Sequence, residues 1–388
     1  MADERLLIRD ASLYGERTDI LIEDGKIAAL GKDLDGGTCP AFDAAGRVAV
    51  AGLTDCHLHM DKALLAERAA YVDGTGAEKG ALTREQKKDF TVADITDRAE
   101  RIIKRCIAAG TLNARTNVDV DAIVGLKGIE ALLALREKYR GVLNLQIAAF
   151  AQEGIFQDGK TPELLEEALK MGADLVGGHT ITCGEGEKHI DFILALAEKY
   201  GVCADFHLDE SGNREHYLLP YTARKVSELG LQGRVNAIHL CTLSALTPEE
   251  RAEGIALAAG AGMTVTVAPT AISTRKIAPV KELLAAGLRV GLGSDNIRDF
   301  FNPLGSGDVK QMALLLAYLQ RFFTAGEVAQ LWDMLTEGGA SVLGADAAVR
   351  VGAKADLTVF DAPTPAGVIA DTARPVLLIR SGRRLSLQ

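Results

Sequence analysis

The sequence predicts an α/β protein: a (β/α)8 TIM-type barrel with a small discontinuous β-sandwich domain formed from both chain ends. Three observations predict it. Eight apolar strand-like runs alternate with helix-period segments, the rhythm of a barrel of roughly 250 residues. Several helical segments close on a glycine (Gly110, Gly172, Gly201, Gly260), as helix C-termini prefer. Both ends read instead as short alternating β runs divided by turn signals.

In order, Arg5 to Val50 carries Leu6-Leu7-Ile8, then Ile20-Leu21-Ile22 and Lys26 to Leu30, the last two joined by the hairpin signal Asp24-Gly25. The far end repeats the style in Asp356 to Phe360 and Val376 to Ile379, followed by Ser381-Gly382. Each piece holds too little β structure to be stable alone. Residues 1–50 and 346–388 are therefore expected to form one sandwich, and residues 51–345 the catalytic barrel. The barrel runs are 48–54, 112–118, 142–150, 173–177, 202–206, 235–238, 264–268 and 288–292, with helices such as 93–109, 162–171, 189–200 and 248–259 between them. A doubly wound sheet fits the same periodicity. No low-complexity segment or solenoid repeat interrupts it.

The chain has 388 residues, 25% charged and 48% hydrophobic, with 43 basic and 53 acidic residues for a net charge of −10. That composition excludes intrinsic disorder. An acidic chain without a basic block gains no counterion release on a phosphate backbone, so no nucleic-acid partner is expected. The longest uncharged stretch, Ile255 to Ser273, has the length of a membrane span but contains Gly260, Gly262 and Pro269; it reads as a helix end, a turn and a buried strand. Met1 to Arg5 shows no basic, then apolar, leader. The six cysteines (39, 56, 106, 183, 203, 241) lack the spacing of a structural zinc site. Reduced thiols, a cytoplasmic location, no membrane contact and a homo-oligomer are expected.

A barrel carries its chemistry at the C-terminal ends of its strands. The first strand ends in His57-Leu58-His59, the second in Asn117-Val118-Asp119, the third in Gln152-Glu153 and the fourth in Gly178-His179. The fifth ends in His207-Leu208-Asp209-Glu210, the sixth in His239, the seventh in Pro269-Thr270 and the eighth in Ser294-Asp295-Asn296. Five of the seven histidines fall at these ends. His57 and His59, one residue apart, point to the same side of an extended strand, as two metal ligands must. With His207 and Asp295 they make a four-member set of imidazole and carboxylate that suits one divalent ion, Zn or Fe. A catalytic ion of this kind lowers the pKa of bound water to about 7.

The remaining residues each admit a plain reading beside the functional one. Glu210 is a proton carrier or a solvated loop carboxylate, and His239 orients the attacking hydroxide or is a satisfied core histidine. Gln152 offers donor and acceptor to a ring amide, or bonds a loop backbone. His179 contacts substrate or packs a loop. Asn117, Asp119, Asn296 and Asp299 support neighbouring ligands or shape turns. Phe300 and Phe301 floor a flat ligand or simply pack.

Taken in order, Gly52 to Lys62, Arg115 to Val120, Gln146 to Gly154, His207 to Glu210 and Ser294 to Asp299 resemble the amidohydrolase superfamily, most closely its cytosine deaminase branch, over essentially the whole chain. The resemblance implies one divalent metal on His57, His59, His207 and Asp295, with Glu210 as proton shuttle, His239 orienting the hydroxide and Gln152 bonding the substrate's ring amide. It implies hydrolytic deamination of a cytosine-like nitrogen heterocycle, as in pyrimidine metabolism: metal-bound hydroxide attacks the amino-bearing carbon, Glu210 moves a proton to the adjacent ring nitrogen, and Asp295 helps protonate the departing ammonia. Strand four has no lysine, as a mononuclear site implies.

Two departures bear on the ring. Cytosine deaminases resemble one another in two consecutive acids after strand eight, where this chain has Asp295-Asn296, and a tryptophan of that loop is replaced by Phe301. Met60-Asp61-Lys62, Gly177-Gly178 and Asn296 to Phe300 are similar to triazine-ring hydrolases that remove alkylamine from N-isopropylammelide. That group, however, has His-x-His-Asp where Asp209-Glu210 stand. The alternatives are thus an amine-releasing triazine amidohydrolase, a cyclic-amide hydrolase, and a non-catalytic binding protein, which a missing ligand or shuttle would mark.

Overall fold

The computed structural model describes residues 5–69, 73–182 and 184–386; Met1 to Glu4 and Cys183 of the readings above lie outside the described residues. Its strands are β1 (Leu6–Leu13), β2 (Glu16–Glu23), β3 (Lys26–Gly31), β4 (Ala41–Asp43), β5 (Ala49–Val50), β6 (Leu53–Leu58), β7 (Thr111–Asp119) and β8 (Asn144–Ala151). They continue with β9 (Leu175–His179), β10 (Cys203–Leu208), β11 (Val235–His239), β12 (Thr264–Val267), β13 (Arg289–Leu292), β14 (Leu357–Phe360), β15 (Pro375–Arg380) and β16 (Arg383–Arg384).

Strands β6 to β13 lie side by side in chain order, all parallel, with helices between them. The architecture is a (β/α)8 barrel. The residues just past β13 close onto β6: Asp295 N donates to His57 O at 2.8 Å, and Ser294 N donates to Asp55 Oδ1 at 3.0 Å. Both faces of a parallel barrel are covered, so β6 and β7 are buried at every residue and do not alternate. Around them, the helix Val92–Ala108 buries Ile95, Ala99, Ile102 and Ile103 on one face and is capped by Thr91.

The expected 48–54 run is two elements. Ala49–Val50 pair antiparallel with β14 in a terminal sheet, and the barrel strand starts at Leu53. The break falls at Gly52, where an added Cβ would come within 2.3 Å of Leu112; only glycine lets the chain cross there. Gly260 is likewise not a helix stop. It lies inside the helix Pro248–Gly260, and the left-handed turn is made by Gly262 at φ 62°.

The termini form two four-stranded sheets, β3-β2-β1-β4 and β16-β15-β14-β5. The Asp24-Gly25 hairpin is present, with positive φ at both residues. Ile8, Ile20 and Ile22 from one end share an apolar cluster with Leu357, Val359, Leu377 and Ile379 from the other. No helix among the described residues is long and apolar enough to cross a membrane.

Candidate metal centre and active site

At the C-terminal ends of β6, β10 and β11, four imidazoles meet edge to face. The ring centroids of His57 lie 4.8 Å from His59 and 4.8 Å from His207, and His207 lies 4.8 Å from His239. Asp295, just past β13, brings Oδ1 within 3.3 Å of His57 Nε2 and 3.5 Å of His59 Nε2. Asp295 and His239 are placed by backbone at φ 58° and 78°. A non-glycine residue held there stores about 1–3 kcal/mol, a cost tolerated where the rest of the fold imposes it.

Asn117 on β7 orients the first two rings. His57 Nδ1 lies 3.2 Å from the Asn117 side-chain oxygen, and His59 Nδ1 lies 3.1 Å from its backbone oxygen. Both acceptors demand a proton on Nδ1, so the Nε2 lone pairs of both rings face inward. Nε2 of His57 and of His207 are buried without a hydrogen-bond partner. Burial and neighbouring cations hold His59 and His207 well below the ordinary histidine range, and burial holds His239 down to about 4. His57 goes the other way: burial lowers it, but Asp295 outweighs burial. Burial opposes ionisation of Asp295 too, yet His57, His239 and His207 keep it well below the carboxylate range. Donor atoms of His57, His59 and Asp295, and of His57, His207 and His239, lie within 4.8 Å of one another. Inward lone pairs beside a carboxylate are the donors a divalent ion takes, and the residues fit one.

Glu210, three residues past His207, is no solvated carboxylate. Its Oε2 lies 2.9 Å from His179 Nε2, 3.3 Å from His207 Nδ1 and 3.8 Å from His239 Nε2, while Oε1 meets Arg275 Nη2. Burial alone would raise its pKa; His239, Arg275 and His179 outweigh burial and hold it well below the usual value. His179 is thus a partner of Glu210, braced on its other side by Thr182. Asp209 turns away and accepts from Leu218 N and Leu219 N at the start of a helix.

A cavity of about 520 Å³ opens over this cluster, lined among others by His59, Gln152, His179, Glu210, Asn296 and Phe301. Gln152 Oε1 accepts from Lys62 Nζ at 3.0 Å. Since lysine only donates, the amide orientation is set and Nε2 is left for the cavity. Asn296 gives Nδ2 to Asp299, leaving Oδ1. Asp299 also accepts from Phe301 N and Asn302 N, so it shapes the loop as a turn residue. Phe300 is 1% exposed and packs in the core; Phe301 is the aromatic at the cavity. Asp119 holds Lys62 and Lys87.

The sequence assigns no role to three contributors, although Lys62 lies in the Met60-Asp61-Lys62 motif. Lys62 sits in the His57-to-Lys62 stretch but four residues past the strand, where a lysine ordinarily faces water. Arg275 belongs to an irregular loop after β12. Arg84 and the helix Gly76–Lys87 reach over the mouth, although that helix has little apolar content to mark its packing.

Residues 41–385 match the family described as "Amidohydrolase family". The N-isopropylammelide isopropyl amidohydrolase of Pseudomonas sp. (strain ADP) is 33% identical over 392 residues, spanning 98% of this chain and 97% of that protein. The crystal structure of N-isopropylammelide isopropylaminohydrolase from Burkholderia multivorans superposes with a TM-score of 0.91 at 31% identity, covering 98% of this chain and 97% of the other. That of 5-methylcytosine deaminase from Klebsiella pneumoniae, liganded with phosphonocytosine, gives 0.92 at 27% identity over 98% of both chains.

Proposed function

The chain belongs to the amidohydrolase family and is a hydrolase of C–N bonds, and from that premise we propose that it removes an exocyclic amino group hydrolytically from a cytosine-like nitrogen heterocycle, releasing ammonia. The observation that carries this reading is Glu210, a buried-side carboxylate whose Oε2 faces His179, His207 and His239 at the cavity floor. His57, His59, His207 and Asp295 would hold a single divalent ion, Zn or Fe; when bound it supplies Lewis acidity that brings water near a pKa of about 7.

The residues divide the work. Gln152 Nε2 donates to a ring carbonyl and orients the ring, with Phe301 and Asn296 Oδ1 at its edge. His239 directs the water toward the amino-bearing carbon. The water oxygen bonds to that carbon as Glu210 takes its proton and passes it to the neighbouring ring nitrogen, the C=N double bond opening so that the carbon becomes tetrahedral. Asp295 carries the second proton to the leaving nitrogen; the C–N bond breaks, the ring carbonyl forms and the amine departs neutral.

A second reading, release of an alkylamine from a triazine, is favoured by the two N-isopropylammelide hydrolases, similar over nearly the whole chain, and by Asn296 in place of a second acid. One panel separates them. Metal-replete protein is offered cytosine, isocytosine, creatinine, ammelide and N-isopropylammelide, with ammonia and isopropylamine measured separately. Ammonia from the first four supports deamination, isopropylamine the second reading, and turnover of none overturns both.

A further inference from the structure

Arg275, a cation at the cavity, has no task in the division of work above. Arg275 follows the turn Pro269–Ser273 beyond β12, where its backbone N–H donates to Ala271 O at 3.0 Å. Nη1 donates to Thr274 Oγ1 at 2.7 Å and Nη2 meets Oε1 of Glu210. Nε is buried without a partner, and the buried Cys241 thiol also hydrogen-bonds the guanidinium, so the fork is placed by Thr274, Cys241 and Glu210. Its aliphatic part lies against Gly212, where an added Cβ would stand 3.8 Å from Arg275 Cβ.

The consequence is that the two oxygens of Glu210 are not equivalent. Oε1 is held by a guanidinium, which donates only and stays charged throughout the pH range of proteins. Oε2 is the oxygen near the imidazoles, 2.9 Å from His179 Nε2 and 3.3 Å from His207 Nδ1. A glutamate on a loop has three side-chain torsions to order, and an unrestrained one spends much of its time out of line.

We propose that Arg275 is a positioning residue: it pins Oε1 of Glu210, so that Oε2 alone faces the reacting centre and is the oxygen that takes and returns the proton. The inference rests on the reading of Glu210 as proton carrier. Oε2 accepts one proton from water and gives it to the ring nitrogen, Glu210 ends as it began, and Arg275 exchanges none.

The test compares Arg275→Ala, Arg275→Lys and the double variant Arg275→Ala/Glu210→Gln as full-length, metal-replete proteins, by kinetics and by crystal structure. The expected result is a kcat lower by about 10- to 100-fold in Arg275→Ala, within the reach of one general acid–base group, and a KM within threefold. Added guanidinium ion restores part of the rate, Arg275→Lys keeps part of it, and the alanine change costs nothing further beside Glu210→Gln. In the Arg275→Ala crystal the Glu210 carboxylate is turned away from His179 and His239. A raised KM with kcat kept, or losses that multiply in the double variant, overturns the proposal. So does a crystal in which Glu210 has not moved. If the wild-type protein turns over no ring, the proposed reaction fails by itself, and the crystal alone decides whether Arg275 positions Glu210.

Discussion

Lys62 Nζ sits 3.0 Å from Gln152 Oε1 and 2.9 Å from Asp119 Oδ1, on a side chain only 1% exposed. A buried ammonium therefore sets which end of the Gln152 amide faces the cavity.

Gln152→Leu removes that donor and is expected to raise KM for the preferred ring about tenfold, the worth of one hydrogen bond, with metal content unchanged. Lys62→Met leaves Asp119 with Lys87 as its remaining buried cation and should cost about 1–3 kcal/mol in denaturant unfolding. Unchanged KM in the leucine variant would remove Gln152 from substrate binding.

Asn117 carries the proton side of two candidate ligands, one through its side chain and one through its backbone. Truncating the side chain frees only His57. Asn117→Ala should weaken metal binding about 10- to 100-fold, the usual loss when a ligand's outer partner is removed. Asn117→Asp, which keeps an acceptor, should bind nearly as tightly. Chelator competition measures both, and an alanine variant as tight as wild type contradicts the role.

Glu210→Gln preserves shape but cannot carry the proton. Turnover should fall at least about a hundredfold while elemental analysis finds the same metal content. Activity equal to wild type would exclude Glu210 from the chemistry.

His189 shows how burial makes stability pH-dependent. It is fully buried behind β9, pressed so close to Gly178 that an added Cβ there would lie 2.1 Å from its Nε2. Neither ring nitrogen has a partner, and burial, helped by His179, lowers its pKa to about 3. The unfolded ring, at about 6.5, takes a proton first as pH falls. Its contribution is thus present above pH 6.5 and lost toward pH 3, reaching about 2 kcal/mol by pH 5. Urea titrations at pH 7 and 5 should show His189→Leu losing less stability than wild type by about that amount. Parallel losses in the two proteins would contradict it.

Much of this was legible beforehand. The Asp24-Gly25 hairpin, the parallel strands and the histidines at their ends follow from short-range rules: a hairpin is set by two residues, a strand's facing by a period of two, and a site by the end of each strand on which it is built. The 48–54 run misled because apolar character continues across Gly52 while the chain changes sheets there, a change that steric room at Leu112 imposes. His179 was ambiguous for a similar reason. Its partner, Glu210, comes from the next strand, and no spacing along the chain reports which loop faces which.

Residue order alone thus settles what repeats locally: the alternation of strand and helix, and the presence of His57, His59, His207, Glu210, His239 and Asp295 at strand ends. Folding decided how those groups are held, because Asn117, Lys62 and Arg275 act through contacts across 58 to 90 residues of chain. A hydrogen bond closed over that separation depends on the packing of every element between, and it leaves no period to read.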